Sequence, residues 1–361
     1  MRREALLPPG SSIGILGGGQ LGRMLAVAAS RLGLKAHIYS DETEAPAFDV
    51  AAKSTVGSYD DEDALARFAA SVDVVTCEFE NVPAATLEAS ARAKPVYPGA
   101  KSFALAQDRL PEKDFISALG IEVAPYAAID GVDQLHAALA TIKPPAILKT
   151  RRLGYDGKGQ MMIRDRSEAQ SAWQGIGAVP AVLEGLVLFE REVSVIAVRG
   201  QDGAFKVYDL TENVHQNGIL AISRVPADSS PAIVVEATGI AAAIAEALDH
   251  VGVLAVELFQ REGKPSLVVN EIAPRVHNSG HWTLDACPIS QFENHVRAIA
   301  GWPLGDTARH SNALMRNLIG AEVERWRTLA AEPMTSVHLY GKQEARPGRK
   351  MGHVTKLSPK S

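Results

Sequence analysis

The chain opens with a strand, a glycine turn and a helix in unbroken succession, and few folds accept that order. Ser12 to Leu16 is a short apolar run. Gly17-Gly18-Gly19-Gln20-Leu21-Gly22 permits a tight turn. Leu21, Met24, Leu25, Ala28 and Leu32 then recur at helical spacing, with Gly33 placed to cap the helix. Ala36 to Tyr39 and Val72 to Cys77 read as further strands, with a helix over Asp63 to Ala70 between them. Strands alternating with helices wind a mostly parallel sheet, so a doubly wound α/β domain is expected over residues 1–115.

The turn itself fits Gly17-x-Gly19-x-x-Gly22, and Asp41 lies near the distance at which an acidic residue would meet a dinucleotide ribose. The underlying physics is broader. Glycines let the backbone approach a phosphate, and a helix N-terminus supplies N–H groups and positive dipole. A dinucleotide, another phosphate ester and a purely structural turn all remain open, with the phosphate ester favoured.

With 361 residues the chain exceeds what one core usually serves. Further units are expected over 116–183 and 184–361, with the first break near Lys113 to Val123. The net charge of −5 argues against a nucleic-acid partner. Cys77 and Cys287 are too few for a disulfide framework and suit a reducing compartment. No apolar stretch is long enough for a signal peptide or a membrane span, so a cytoplasmic protein is expected.

The richest chemistry lies near the C-terminal side. Val253 to Phe259 is an apolar run broken only by Glu257, and Ser266 to Val269 is another. Arg261-Glu262-Gly263-Lys264-Pro265 between them has turn composition. Pairing Arg261 with Leu267 would set Glu257 opposite Glu271, on one face of the sheet. Two carboxylates so placed repel unless a cation lies between them. Mg²⁺ takes one or two carboxylates together with substrate phosphates; the alternative is a pair of solvated glutamates in another register. Asn270 to Trp282 then packs a carboxylate, amides, a guanidinium and two imidazoles into a dozen residues, a density that is costly unless ligands are met.

Three other stretches carry polar groups in pattern. Cys77-Glu78-Phe79-Glu80-Asn81 follows a strand, at the carboxyl edge where open α/β sheets bind ligands. Ala146 to Lys149 is a strand ending in a lysine. It precedes the loop Gly154-Tyr155-Asp156-Gly157-Lys158-Gly159-Gln160, whose glycines and cations suit a lid over polyphosphate, or else a basic surface hairpin. Ala181 to Leu183 is a strand running into Glu184-Gly185-Leu186-Val187, where backbone groups could pair with a base edge and Glu192 could take ribose hydroxyls.

The order Lys149, glycine loop, Glu184 linker, Glu192, Glu257, Asn270-Glu271 resembles the ATP-grasp superfamily. Five motifs narrow this to the N5-carboxyaminoimidazole ribonucleotide synthetases: Gly-Gly-Gly-Gln-Leu-Gly-Arg-Met-Leu, Cys-Glu-Phe-Glu-Asn-Val-Pro, Ala-Gln-Asp-Arg, Gly-Tyr-Asp-Gly-Lys-Gly-Gln and Asn-Glu-Ile-Ala-Pro-Arg-Val-His-Asn-Ser-Gly-His-Trp-Thr. The likeness runs from about Ile13 to about His353. It implies an ATP-grasp architecture: an N-terminal doubly wound domain, a small α+β lid and a C-terminal α+β domain. It also implies an ATP- and bicarbonate-dependent carboxylation of 5-aminoimidazole ribonucleotide through carboxyphosphate.

By that resemblance Arg109 and Lys149 contact ATP phosphates, Gly154 to Gln160 folds over them, and Glu184, Gly185, Leu186 and Val187 hold adenine. Glu192 takes the ribose, His215 lies near the nucleotide, and Glu257 and Glu271 carry Mg²⁺, or Mn²⁺ in its place, with Asn270 beside them. Gly19, Gln20, Leu21, Glu80, His277, Asn278, Lys342, Arg349 and Lys350 are expected at the ribonucleotide. Arg275 is expected to hold bicarbonate and carboxyphosphate, with Asp156, Lys158 and Lys342 at the same centre. His277 is equally a ligand or a structural donor, and His281 and Trp282 receive no role. The resemblance suggests a homodimer. Two residues depart from the commoner pattern: Lys158 stands where arginine is frequent, and Val276 where proline is usual. The competing readings are a formate-dependent glycinamide ribonucleotide transformylase, a nicotinamide dehydrogenase and a nucleotide-binding regulator.

Overall fold

A computed structural model describes residues 6–154, 157–263 and 266–360. Tyr155 and Asp156, expected in the lid, lie outside the described residues, as do Lys264 and Pro265 of the expected hairpin turn. Three sheets organise the chain. The first is parallel, in the order β3-β2-β1-β4, and is built from β1 (Ser12–Leu16), β2 (Lys35–Ser40), β3 (Lys53–Val56) and β4 (Val74–Cys77). The second is antiparallel, in the order β5-β8-β6-β7, from β5 (Tyr126–Ile129), β6 (Ala146–Thr150), β7 (Gln160–Ile163) and β8 (Ala181–Gly185). The third holds β9 (Arg191–Arg199), β10 (Phe205–Val207), β11 (Thr211–Gln216), β12 (Ile219–Val225), β13 (Gly252–Gln260), β14 (Leu267–Ala273), β15 (Ser311–Ile319), β16 (Thr335–Leu339) and β17 (Lys350–Pro359). Its order is β14-β13-β9-β11-β12-β15-β17-β16, with β10 beside β9.

The opening pattern folds as read: β1 leads through the glycines into α1 (Gln20–Arg31), and Gly33 takes a positive φ of 71° past its end. The buried stripe of α1, including Leu21 and Leu25, packs into a core shared with Ile196, Val198, Val253 and Ala255 of the third sheet and with the helix Gln291–Ile299. Each fully buried side chain of this size contributes roughly 1.5–3 kcal/mol. The first and third sheets are thus joined through one apolar mass. On the opposite face of the third sheet, Leu254, Val256 and Leu258 meet the helix Pro231–Ala247 and Ile116 of the helix Arg109–Ala118.

Two expected boundaries fall within elements of secondary structure. The break at 115/116 would cut the helix Arg109–Ala118, which Asp108 caps by accepting from Leu110 N. That helix lies along the edge strand β14, where Glu112 Oε1 accepts from Ile272 N at 2.7 Å. The break at 183/184 would cut β8, which pairs with β5 and β6 as far as Gly185.

The second sheet is fastened to the same helix by charge. Lys113 Nζ lies 3.2 Å from Glu184 Oε1, and Lys149 Nζ lies 3.0 Å from Glu184 Oε2. All three side chains are buried. Arg151, just past β6, grips Asp108 at 2.9 and 2.7 Å, and its carbonyl accepts from Arg109 N.

The turn after β1 makes a demand of its own. Gly17 has a φ of 107°, and a Cβ there would stand 2.7 Å from Cγ of Glu78. Gly17→Ala is expected to destabilise the protein by at least the ~1–3 kcal/mol of a strained backbone, read as a lowered urea midpoint. Glu184→Gln leaves two buried ammonium groups without their carboxylate. Breaking a buried pair of this kind costs about 3–5 kcal/mol, so chemical denaturation of that variant should show a loss larger than for Gly17→Ala.

Candidate active site

The site lies where β13 and β14 face the second sheet. Glu257 pairs with Glu271, as the sequence suggested, but through a different register. The hairpin aligns Gln260, not Arg261, with Leu267, and a bulge between Glu257 and Leu258 absorbs one extra residue on β14. The core confirms it: Leu267, Val269 and Ile272 share one apolar cluster, so the period of two slips to three across Asn270-Glu271. The strand therefore runs past Val269 to Ala273. The slip turns Asn270 and Glu271 to the same face, opposite the core.

Among these oxygens one is conspicuous. Asn270 Oδ1 is buried and has no hydrogen-bond partner. Together with Glu257 and Glu271 it gives an all-oxygen donor set of the kind Mg²⁺ selects. Arg109 Nη1 is 2.9 Å from Glu271 Oε2, and its Nη2 donates to Gly154 O at 3.2 Å. Burial raises the Glu271 carboxyl, but Arg109 together with Lys149 and Lys113 holds the group below its ordinary value. Burial, then the charge of Glu271, pushes Glu257 up to about 7. Glu112, unremarked in the sequence, sits close enough that burial and Glu271 push it up to about 8. Burial lowers Lys149 despite Glu184.

A shallow pocket beside the pair is lined by Glu192, Asn213, His215, Glu257, Phe259 and Asn270. Glu192 and His215 form an ion pair within it. Burial alone would lower His215, yet Glu192 and Glu257 raise it. Glu184 does not reach this pocket through its carboxylate, which is held by Lys113 and Lys149. The backbone of Glu184 and Gly185 is likewise committed to the sheet, and Leu186 N donates to Pro145 O. Lys113 is the residue the sequence reading missed here, because its helix was taken for a domain junction.

The glycine loop leaves β6 and returns at β7. Gly157 (φ 76°) and Gly159 (φ 69°) adopt the left-handed region. Gly157 lies against Asn217 and Gly218 in the β11–β12 turn, so the loop reaches from the second sheet to the third. Lys158 and Gln160 are exposed along it.

On the other flank, Arg275 Nη2 is 2.9 Å from Glu80 Oε1, and Nη1 donates to Val276 O. Its Nε is buried and without a hydrogen-bond partner. Asn278 exchanges amide hydrogen bonds with Asn317 at 3.0 and 2.6 Å, a partner the sequence did not reveal. Lys342 donates to Lys350 O at 2.9 Å, and Arg349 Nη1 to Glu344 O. Burial, helped by Arg349, lowers Lys342 to about 8.

The glycine turn is partly filled by the chain itself. Glu78 Oε1 accepts from Gly19 N at 2.7 Å, so a phosphate cannot use that amide while Glu78 is there. Leu21 is in the core, which leaves it no side-chain contact with a ligand. Gln20 stays half-buried at the head of α1.

His281 and Trp282 now have places. Trp282 is fully buried and donates to Thr211 Oγ1 at 3.0 Å. His281 is fully buried among Phe292, Tyr340 and His353. Asp285, His338 and His353 each bring a ligand-type atom within 4.8 Å of the others. The His338 and His353 rings are stacked 4.5 Å apart at 13°, however, so no single ion lies in both ring planes. This group instead props the strand ends that present Tyr340 and Lys342, with Tyr340 Oη 2.9 Å from His353 Nδ1.

Comparison with known proteins gives one answer along the whole chain. Residues 11–107 match the ribonucleotide synthetase preATP-grasp domain, 114–292 the ATP-grasp domain, and 313–361 the phosphoribosylaminoimidazole carboxylase C-terminal domain. The chain is 50% identical over 358 residues to the N5-carboxyaminoimidazole ribonucleotide synthase of Brucella melitensis, covering 98% of both chains. It is 45% identical to that of Pseudomonas aeruginosa, over 95% of this chain and 93% of the relative. A crystal structure of N5-carboxyaminoimidazole ribonucleotide synthetase with ADP superimposes with a TM-score of 0.95 at 40% identity, covering 98% and 94% of the two chains. The Aspergillus clavatus enzyme, in complex with ADP and 5-aminoimidazole ribonucleotide, gives 0.91 at 30% identity over 97% and 94%. With matches of this length, and a donor set suited to Mg²⁺ under a glycine loop, the chain belongs to the N5-carboxyaminoimidazole ribonucleotide synthase family of ATP-grasp enzymes.

Proposed function

We propose that this protein is an ATP-dependent carbon–nitrogen ligase of purine biosynthesis that carboxylates the exocyclic amine of 5-aminoimidazole ribonucleotide, using bicarbonate. The observation that carries the reading is the opposed pair Glu257 and Glu271 with the unpartnered Asn270 Oδ1 next to Glu271. A regulator that only bound nucleotide would have no need for such a donor set. A dehydrogenase would need the glycine turn open, and Glu78 occupies its amide.

The reaction needs two group transfers. A bicarbonate oxygen attacks the γ-phosphorus, the bond to the β-bridging oxygen breaks, and ADP leaves carboxyphosphate. The amine nitrogen then bonds to the carboxyl carbon, directly or after CO₂ is freed, with loss of phosphate and a proton. The protein's share of such transfers is positioning and charge stabilisation. Glu257, Glu271 and Asn270 would hold Mg²⁺, which neutralises phosphate oxygens when bound. Lys149 and Arg109 border the same space, and Arg109, which holds Glu271 at 2.9 Å, would be free to contact phosphate once Mg²⁺ balanced that carboxylate. Glu192 and His215 line the nucleotide pocket.

Arg275 faces the carboxylating centre. Its buried, unpartnered Nε–H and its fork suit a planar anion, with Nη2 steadied by Glu80. Lys342, Arg349 and Lys350 supply the cations for the ribonucleotide side, and Asn278 orients there through Asn317. Tyr155, Asp156 and Lys158 of the loop complete the lid in this reading. A homodimer is proposed on family resemblance.

Phosphate release from ATP should depend on both 5-aminoimidazole ribonucleotide and bicarbonate. Release supported equally by formate and glycinamide ribonucleotide, or absent with every one of these, refutes the assignment. Glu271→Gln should lower kcat at least 100-fold at ordinary Mg²⁺, the order expected when a group stabilising transition-state charge is lost, while circular dichroism stays unchanged. Lys342 adds a pH signature. Its lowered pKa means that the cation is complete below about 8 and lost as pH rises through that value. KM for the ribonucleotide should therefore climb above about pH 8 and level off in Lys342→Arg, which stays charged.

A further inference from the structure

The site face of the third sheet carries a row of buried polar side chains that the reaction, as described, does not use. Ser194 stands opposite Glu257 across β9 and β13, and Ser223 opposite Asn213 across β11 and β12. Ser223 Oγ donates to Asn213 Oδ1 at 2.8 Å, and Asn213 Nδ2 donates to Ser194 Oγ at 2.9 Å. Ser194 Oγ then donates to Ser279 Oγ at 2.7 Å, and Ser279 Oγ lies 2.9 Å from His277 Nδ1. Beyond the ring, His277 Nε2 lies 3.5 Å from Glu257 Oε1. The three serines are fully buried and Asn213 nearly so. Each would cost about 1–3 kcal/mol if left unsatisfied. Apolar residues of similar shape would serve packing equally well, so the row calls for another explanation.

Its direction is set by the backbone. Ser279 N also points at His277 Nδ1, at 3.4 Å. A backbone amide only donates, so Nδ1 is an acceptor and carries no hydrogen. The hydrogen of the neutral ring then sits on Nε2, the atom that faces Glu257. Ligating carboxylates depend on such outer partners for their aim.

We infer that Ser223, Asn213, Ser194 and Ser279 form a positioning relay that fixes His277 as its Nε2–H tautomer, so that His277 steadies Glu257 toward Mg²⁺. His277 is then a positioning residue and not a ligand. The relay spans three neighbouring strands, which makes the aim of one carboxylate depend on the register of the sheet. The inference rests on Glu257 holding Mg²⁺.

The test uses the full-length protein with ¹⁵N-labelled histidine. Long-range ¹H–¹⁵N correlation, assigned with His277→Gln, should show the Nε2–H tautomer in the unaltered protein and a smaller share of it in Ser279→Ala, where only the longer 3.4 Å backbone donor still faces Nδ1. Mn²⁺ binding in the presence of ADP, followed by electron paramagnetic resonance, should weaken roughly 10-fold in Ser279→Ala, with KM for the ribonucleotide unchanged. Ser223→Ala, at the far end of the row, should shift both readouts the same way by less, and it serves should Ser279→Ala fail to fold. His277→Gln, whose amide can still donate, should recover affinity that His277→Ala loses. An Nδ1–H tautomer in the unaltered protein overturns the relay, as does unchanged Mn²⁺ affinity in the serine variants when Glu257→Gln does weaken it. Unchanged affinity in Glu257→Gln instead overturns the metal reading on which the relay rests.

Discussion

Everything at this site depends on two carboxylates that face each other across neighbouring strands. Unit charges about 5 Å apart repel by about 3 kcal/mol at an effective dielectric constant of 20. The fold manages that repulsion unequally. Arg109 holds Glu271 through a 2.9 Å contact, whereas Glu257 faces the imidazole of His277 and rises to about 7. A divalent ion would relieve both groups at once, and it would free Arg109 for the phosphates beside it. The pair is therefore tolerable without ligand and better balanced with it, which is what a site that must load and release nucleotide requires.

The charges around the pair are interleaved. Arg109, Lys113 and Lys149 alternate with Glu112, Glu184 and Glu271 along the seam between the second and third sheets. Buried ion pairs add little stability over apolar packing, yet they are strongly destabilising to break. The arrangement holds two lysines on one carboxylate, Glu184, beside the Arg109–Glu271 pair. The lid sheet is anchored by the same groups that define the site, so its seat and its chemistry are not separable.

Much of this was legible in the sequence, and the failures have physical causes. Strands and α1 followed from period and caps, because apolar spacing decides which face is buried. The Glu257–Glu271 pairing came out right on the wrong register, since the bulge at Asn270 adds one residue and compensates the shift of one at Arg261. The clue was present in the step of three from Val269 to Ile272 within an apolar strand. Lys113 was missed because its segment was taken for a domain junction, and its partner Glu184 lies on a strand distant in sequence. Glu78 was read correctly as lying at the sheet's carboxyl edge. Its grip on Gly19 joins residues 59 apart in sequence, and no local pattern announces that. Ser194, Asn213 and Ser223 carry no local signal of their linkage, because each meets its partner on a neighbouring strand.

The glycines show how local permission and distant demand combine. Gly17 and Gly19 lack side chains so that Glu78 can approach the start of α1, and the helix end that might have taken a phosphate takes a carboxylate of the chain. Gly157 lacks one so that the loop can lie against Gly218, where a Cβ would stand 3.0 Å from its Cα. The first contact is internal to one sheet. The second brings the loop that leaves the second sheet against the β11–β12 turn of the third, an approach that a side chain at position 157 would obstruct.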